Sequence, residues 1–291
     1  MANVFVRAGL CVVSFAAAAG CGLFGAAERG AAAPKWKLAV QAWTFHDSTL
    51  FEAIEKTKAA GVEYLEIFPG QRLSPERPDV SFDHNSPASV REDVEKKLKE
   101  AGVKLVAYGV VGLGTDEAEN RKVFGFAKAM GIGTIVTEAE PGALEAIDRL
   151  AEEYNVVVAL HNHPKPSRYW NPEAVLEAVR GRSKRIGSCA DTGHWMRSGV
   201  DPLEALRKLE GRIVSSHFKD LGEFGNPAAH DVVWGTGKAN ARALLEELHR
   251  QGFSGVVSIE YEHNWGKSLP EVTECAKFFR QVTEEIAKRG R

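Results

Sequence analysis

Residues 89–110 read SVREDVEKKLKEAGVKLVAYGV. The first part spaces Val90, Val94 and Leu98 one helical turn apart among charges, which predicts a helix over Ser89–Ala101 with one apolar face. Gly102 follows, where a chain leaving a helix commonly turns left-handed. Lys104–Val110 is then a short apolar run that suits a buried strand. The same sentence repeats along the chain from Trp36. Strands are expected at Leu38–Phe45, Tyr64–Phe68, Lys104–Val110, Thr134–Glu138, Val156–His161, Ile186–Asp191, Ile213–Phe218 and Val256–Tyr261. Helices are expected near Leu50–Ala60, Ser89–Ala101, Asp116–Met130, Gly142–Tyr154, Pro172–Val179, Pro202–Glu210 and Ala239–Gln251, and Leu269–Lys288 closes the chain. Gly61, Gly131 and Gly252 stop helices as Gly102 does, while Asn171-Pro172 and Asp201-Pro202 read as a capping residue followed by a first-turn proline. Eight such units in about 250 residues predict a single α/β domain, a closed (β/α)8 barrel. A doubly wound open sheet is the other candidate, but it wants a glycine-rich first turn, and His46-Asp47-Ser48-Thr49 stands there instead. Pro69–Pro87 and Lys165–Trp170 read as loops.

Composition narrows the class. The chain has 291 residues, 44% apolar and 26% charged, with a net charge of −2. That excludes wholesale disorder and a polytopic membrane protein. The near balance of 37 basic and 39 acidic residues argues against a nucleic-acid partner. Four cysteines cannot frame a chain this long; Cys189 and Cys275 fall in a strand and a helix and read as packing residues. The beginning of the chain has a different texture. Arg7 precedes the small, apolar run 8–24, too short for a comfortable membrane span, which reads as an export signal. Ala18-Ala19-Gly20-Cys21 resembles a lipobox, so residues 1–20 are expected to be a lipoprotein signal, Cys21 a lipid anchor, 21–35 a tether and 36–291 the barrel. An ordinary signal cut near Ala33 is the alternative. Either way the expectation is an exported protein, periplasmic or held at a membrane through lipid alone.

In a barrel of this kind the chemistry collects where strands end. Of the nine histidines, all but His249 fall at expected strand ends or in the loops after them, as do Trp43, Trp170, Trp195, Trp234 and Trp265. Imidazole and indole together suit a metal with a sugar ring stacked over it. Glu66, Glu138, Asp191 and Glu260 add carboxylates at strand ends, which are costly there unless paired or bound to a cation. Asp191, His217 and Glu260 end three successive strands and suit a mixed oxygen–nitrogen site for one divalent ion. Alternation places His217 and Lys219 on one side of their strand, and His161-Asn162-His163 ends the fifth. Glu66 could orient a ligand histidine or a substrate hydroxyl. Gly235-Thr236-Gly237-Lys238 could cradle a phosphate or simply turn the chain.

Asp191-Thr192-Gly193-His194, His217, Trp234-Gly235-Thr236-Gly237 and Glu260 together resemble the xylose-isomerase-like TIM barrels known as sugar phosphate isomerases/epimerases. That superfamily includes ketose 3-epimerases, inosose isomerases and dehydratases, and endonuclease IV. The resemblance covers the chain after its leader. It implies a metal held by residues of strands 5 to 8, with two glutamates serving as acid and base. Asp191, His217 and Glu260 match that pattern; His161 stands where the first glutamate belongs, and Glu138, one strand earlier, could supply the missing carboxylate. The His-Asn-His run resembles the branch that contains 3-keto-sugar eliminases and hydratases. The resemblance therefore implies an isomerase, epimerase or lyase for a keto-sugar or related polyol, working through a metal-stabilised enediolate. The expected ligands are Glu138, His161, Asp191, His217 and Glu260, around one Mn²⁺, Co²⁺, Zn²⁺ or Mg²⁺ ion. Glu260 is the expected base, His161 or Glu138 the opposing acid or base, and Lys219 the oxyanion stabiliser. Trp43, Glu66, His163, His194 and Trp195 are expected to hold the carbohydrate. Related barrels pair, which points to a homodimer. The competing expectation is a non-catalytic sugar-binding lipoprotein on the same scaffold, which would keep the tryptophans without needing the ligands.

Overall fold

A computed structural model describes residues 1–2 and 34–289. The expected signal, the anchor at Cys21 and the tether as far as residue 33 lie outside the described residues, apart from residues 1–2. Eight parallel strands close into a barrel: β1 (Lys37–Gln41), β2 (Tyr64–Ile67), β3 (Lys104–Tyr108), β4 (Thr134–Thr137), β5 (Val157–His161), β6 (Ile186–Cys189), β7 (Ile213–Phe218) and β8 (Val256–Ile259). Each strand pairs with its neighbour in sequence, and β8 pairs with β1, so the open-sheet alternative is excluded. The helices are α1 (Leu50–Ala59), α2 (Ala88–Ala101), α3 (Glu117–Ala129), α4 (Leu144–Tyr154), α5 (Pro172–Ala178), α6 (Thr192–Arg197), α7 (Pro202–Lys208), α8 (Ala241–Arg250) and α9 (Leu269–Arg289). Among the described residues no helix is long and apolar enough to cross a membrane.

The strand alternation builds two separate interiors. Ile135, Leu160 and Ala190 face outward and join the main core beneath the helices. Their neighbours Val136, Ala159 and Cys189 form a small apolar cluster of their own inside the barrel. A further step along each strand in the same phase reaches the mouth, where the next inward positions are polar. This layering of a packed barrel is what delivers side chains from different strands to one level.

Local signals set the helix ends. Asp201 accepts hydrogen bonds from the Leu203 and Glu204 amides, and Asn171 from the Ala174 amide. Each cap contributes about 1 kcal/mol. Thr49 and Glu52 close a reciprocal box at the start of α1.

Three elements depart from expectation. The first strand stops at Gln41, and Ala42–Phe45 forms a 3-10 turn because the Gln41 side chain accepts the Trp43 amide at 2.8 Å. The turn carries Trp43 to the barrel rim. The loop expected over Pro69–Pro87 contains an antiparallel hairpin, Gln71–Ser74 against Arg77–Phe82, whose polar, proline-bearing second arm disguises it. The segment after β6 is a helix, α6, with Asp191 as its cap.

Candidate active site

His161 is the last residue of β5, Asp191 lies just past β6, His217 is within β7 and Glu260 follows β8. All four are buried, and one donor atom from each lies within 4.8 Å of the others. His161 Nε2 is 3.4 Å from Asp191 Oδ2, and His217 Nδ1 is 3.0 Å from Glu260 Oε2. Among the described residues, both ring nitrogens of His161 and His217 Nδ1 nevertheless lack a well-directed hydrogen bond. Leaving such atoms buried without partners costs about 1–3 kcal/mol each. A cation at their meeting point would satisfy several at once, and two imidazoles with two carboxylates suit a divalent ion of borderline softness. The donor set therefore fits a metal.

Residues behind the ring hold it in shape. Glu66 is fully buried, 2.8 Å from His217 Nε2, and accepts the Ser258 hydroxyl at 2.5 Å. It thus orients a ring histidine, and it does not line the cavity at the barrel mouth. Asn162 points away from its two histidine neighbours and clasps the Asp191 backbone at 2.9 and 2.8 Å. Glu138 does not join the four donors. It accepts hydrogen bonds from His163, through the backbone amide at 3.1 Å and the ring Nδ1 at 2.6 Å, and lies 3.8 Å from His161 Nδ1. Glu138, His161 and His163 form a second group of donors that shares His161 with the first. Burial alone would raise the Glu138 pKa, but the neighbouring His161 and the bonds from His163 hold it well below the usual carboxylate range. His163 moves the other way: burial opposes its charge, and Glu138 raises its pKa above the ordinary value.

Lys219 is the fixed cation of the site. Its fully buried Nζ lies 2.8 Å from Asp191, 2.7 Å from Glu260 and 3.1 Å from Glu262. Burial would lower its pKa, but Asp191, Glu260 and Glu262 drive it well above the ordinary value. Reciprocally, Glu260 falls to about 2, because Lys219 and His217 outweigh burial. Gly193 makes this placement feasible: a Cβ there would lie 2.7 Å from the Lys219 Cβ. With three carboxylates on its Nζ, Lys219 has no contact left for a substrate oxyanion, the role expected of it.

A cavity of about 230 Å³ opens above the ring, lined by Gln41, Trp43, Phe68, His163, Glu260 and Glu262 among others. His194 is nearly buried, 3.4 Å from Lys219 Nζ, and burial pulls its pKa well below the ordinary value. Trp195, expected as a stacking wall, is wholly buried in the main core because α6 turns it inward. The glycine turn at 235–238 is no phosphate cradle: the Asp220 carboxylate already accepts the amides of Gly235, Gly237 and Ala239 at 2.9–3.0 Å.

Sequence reasoning missed Glu262, Arg197 and Gln41. Glu262 was within reach, since it lies two residues past Glu260 on the same side. Arg197 joins Glu262 at 2.7 Å and Asp231 at 2.9 Å from a helix too short to show a period.

Comparison with known proteins agrees with this geometry. The profile of the family described as Xylose isomerase-like TIM barrel matches residues 54–282. An inosose isomerase of Halalkalibacterium halodurans is 26% identical over 276 residues, 86% of this chain and 95% of that one. Of several other curated relatives, including inosose dehydratases of Lacticaseibacillus casei at 24% identity, this chain spans only about half the length. Among solved structures, an uncharacterized protein of Parabacteroides distasonis superposes with a TM-score of 0.69 at 37% identity, over 85% of this chain and 99% of that one. The IOLI protein, solved with a bound zinc atom, gives 0.67 at 19% identity, over 86% and 99%. The barrel, its mouth and these matches agree: the chain belongs to the xylose isomerase-like TIM barrel family.

Proposed function

We propose that this barrel is a divalent-metal-dependent sugar isomerase, epimerase or lyase that moves the proton next to the carbonyl of a keto-sugar or related polyol. One observation carries the reading: His161, Asp191, His217 and Glu260 converge beneath a cavity that Trp43 and His163 also line. An ion held by those four side chains would supply Lewis acidity to adjacent carbonyl and hydroxyl oxygens. Glu260 both belongs to the ring and faces the cavity, so it is the residue placed to take a proton. His163, fixed by Glu138, is the cavity-lining group placed to return one. His161, wholly buried, and Glu138, engaged by His163, position these groups and do not transfer the proton. Lys219 keeps Asp191, Glu260 and Glu262 charged and still. Trp43 and Phe68 offer apolar surface to the carbon face of a sugar ring. The names of the relatives, isomerase and dehydratase, support both outcomes of proton removal. Export belongs to the same proposal and rests on Arg7 and the apolar run 8–24 alone.

The test is elemental analysis of the purified chain beside Asp191→Ala and His217→Ala. One Mn, Co or Zn ion per chain, absent from both variants, is the expected result, followed by exchange of a keto-sugar proton with deuterated solvent. No stoichiometric metal, even after reconstitution, would sink the mechanism.

A further inference from the structure

The rings at the barrel mouth form a row that leads out of the cavity. Phe68 and Trp43 line it and meet edge to face at 5.1 Å. His46 stacks on Trp43 at 4.8 Å, with 21° between the planes. Trp265 meets His46 at 4.2 Å and 82°. Trp43 and Trp265 are 41% and 40% exposed, and few other large apolar side chains among the described residues are so open to solvent. The row is held in place: Gln41 fixes the Trp43 amide, and His46 lies 3.1 Å from both the Trp43 carbonyl and the Asp47 carboxylate. Apolar area kept rigid and wet beside a cavity is surface reserved for a ligand.

Size and charge say which ligand. The cavity of about 230 Å³ falls below the roughly 300–1,000 Å³ that encloses a larger molecule, so one sugar ring fills it. Anything attached to that ring must lie over the rim. Among the described residues no lysine or arginine lines the cavity, Glu260 and Glu262 do, and Asp220 fills the only amide cradle described above. A phosphate is therefore unwelcome, and a neutral ring with an apolar face fits the indoles.

Resting on the sugar reading above, we infer that the substrate is a two-ring carbohydrate, a disaccharide or glycoside, with one ring in the cavity and the second on the Trp43–His46–Trp265 row. The test is calorimetric titration of the full chain, with manganese present, using the keto-disaccharides lactulose, maltulose and isomaltulose against fructose, glucose and galactose. At least one disaccharide is expected to bind about tenfold or more tightly than its monosaccharides and to quench tryptophan emission. Trp265→Ala should remove that gain and leave monosaccharide affinity unchanged, while Trp265→Phe should keep part of it; thermal melts check that both fold. Monosaccharide binding with no disaccharide gain, or equal weakening of both by Trp265→Ala, overturns the inference and leaves the sugar reading standing. Binding of none of these sugars overturns both. A concentration-dependent emission shift without sugar, lost in Trp265→Ala, would mean that a second copy covers the row, and also overturns it.

Discussion

Asn162 and Asp191 clasp each other across two neighbouring strands: the Asn162 amide donates to the Asp191 carbonyl at 2.9 Å, and the Asp191 amide donates to Asn162 Oδ1 at 2.8 Å. Both residues are fully buried. The clasp fixes the backbone of one ring residue by the residue that follows another, His161. Asn162→Ala is expected to strand two backbone groups and to cost about 1–3 kcal/mol for each left unpaired. It should also weaken metal affinity by about 10–100-fold, the usual consequence of removing a group that orients ligands. Denaturant midpoints and competition with a chromophoric chelator measure the two effects separately. An unchanged affinity would show that Asp191 is held well enough by its role as the cap of α6.

A metal in the ring should stabilise the whole barrel, because strands β5 to β8 each contribute one donor. An ion at about a hundred times its dissociation constant adds about 2.7 kcal/mol. In a domain of this size that corresponds to a rise in Tm of roughly 5–10 °C. Chelation of the wild type should therefore lower Tm by that amount, and His217→Ala should melt at the same temperature with and without chelator. A chelator-sensitive His217→Ala would place the ion elsewhere.

How far this arrangement could be read beforehand depended on whether a residue's position followed from local pattern. The barrel was legible because the glycine stops and apolar runs recur; the ring was legible because Asp191, His217 and Glu260 each end such a run. The role of Asn162 was not, since it depends on the register that sets His161 beside Cys189 across β5 and β6. Trp195 misled for a related reason: a tryptophan after a strand looks like a cavity wall until the short helix α6 turns it into the core. Lys219 looked free to meet substrate because its partners come from β6 and from beyond β8, far away in sequence.

Gly193 gives a direct test of how tightly Lys219 is placed. A methyl group there would lie 2.7 and 2.8 Å from the Lys219 Cβ and Cδ. Gly193→Ala should push the lysine stem and separate Nζ from one of its carboxylates. Overpacking of this kind costs about 1–3 kcal/mol. Activity should fall more than stability suggests, because Glu260 loses its fixed counter-charge. A variant that melts about 5 °C lower yet keeps full activity would show that Lys219 acts only in folding. Lys219→Met should be worse than Gly193→Ala, since it leaves the buried Asp191 and Glu260 without their lysine while Glu262 keeps Arg197; breaking a buried pair costs about 3–5 kcal/mol.

Asp231 should leave its own mark on stability against pH. It is buried, its Oδ2 accepts from Arg197 at 2.9 Å, and its Oδ1 has no hydrogen-bond partner among the described residues. Burial raises its pKa to about 7, and the opposing pull of Lys219 and Arg197 is too weak to reverse that. A carboxyl whose folded pKa lies above its unfolded value binds its proton more tightly when folded. Its contribution to stability is therefore complete below about pH 4 and is lost as pH rises through about 7. A shift of that size corresponds to at most about 4 kcal/mol. The wild type should consequently lose stability across that window relative to Asp231→Asn, which keeps an oxygen for Arg197 but cannot ionise. The difference between the two denaturation curves, followed from pH 4 to pH 8, isolates this one group from the other carboxylates. A constant difference over the whole range would mean that Arg197 keeps Asp231 ionised throughout, and that the Arg197–Asp231 contact is an ordinary ion pair supporting Glu262.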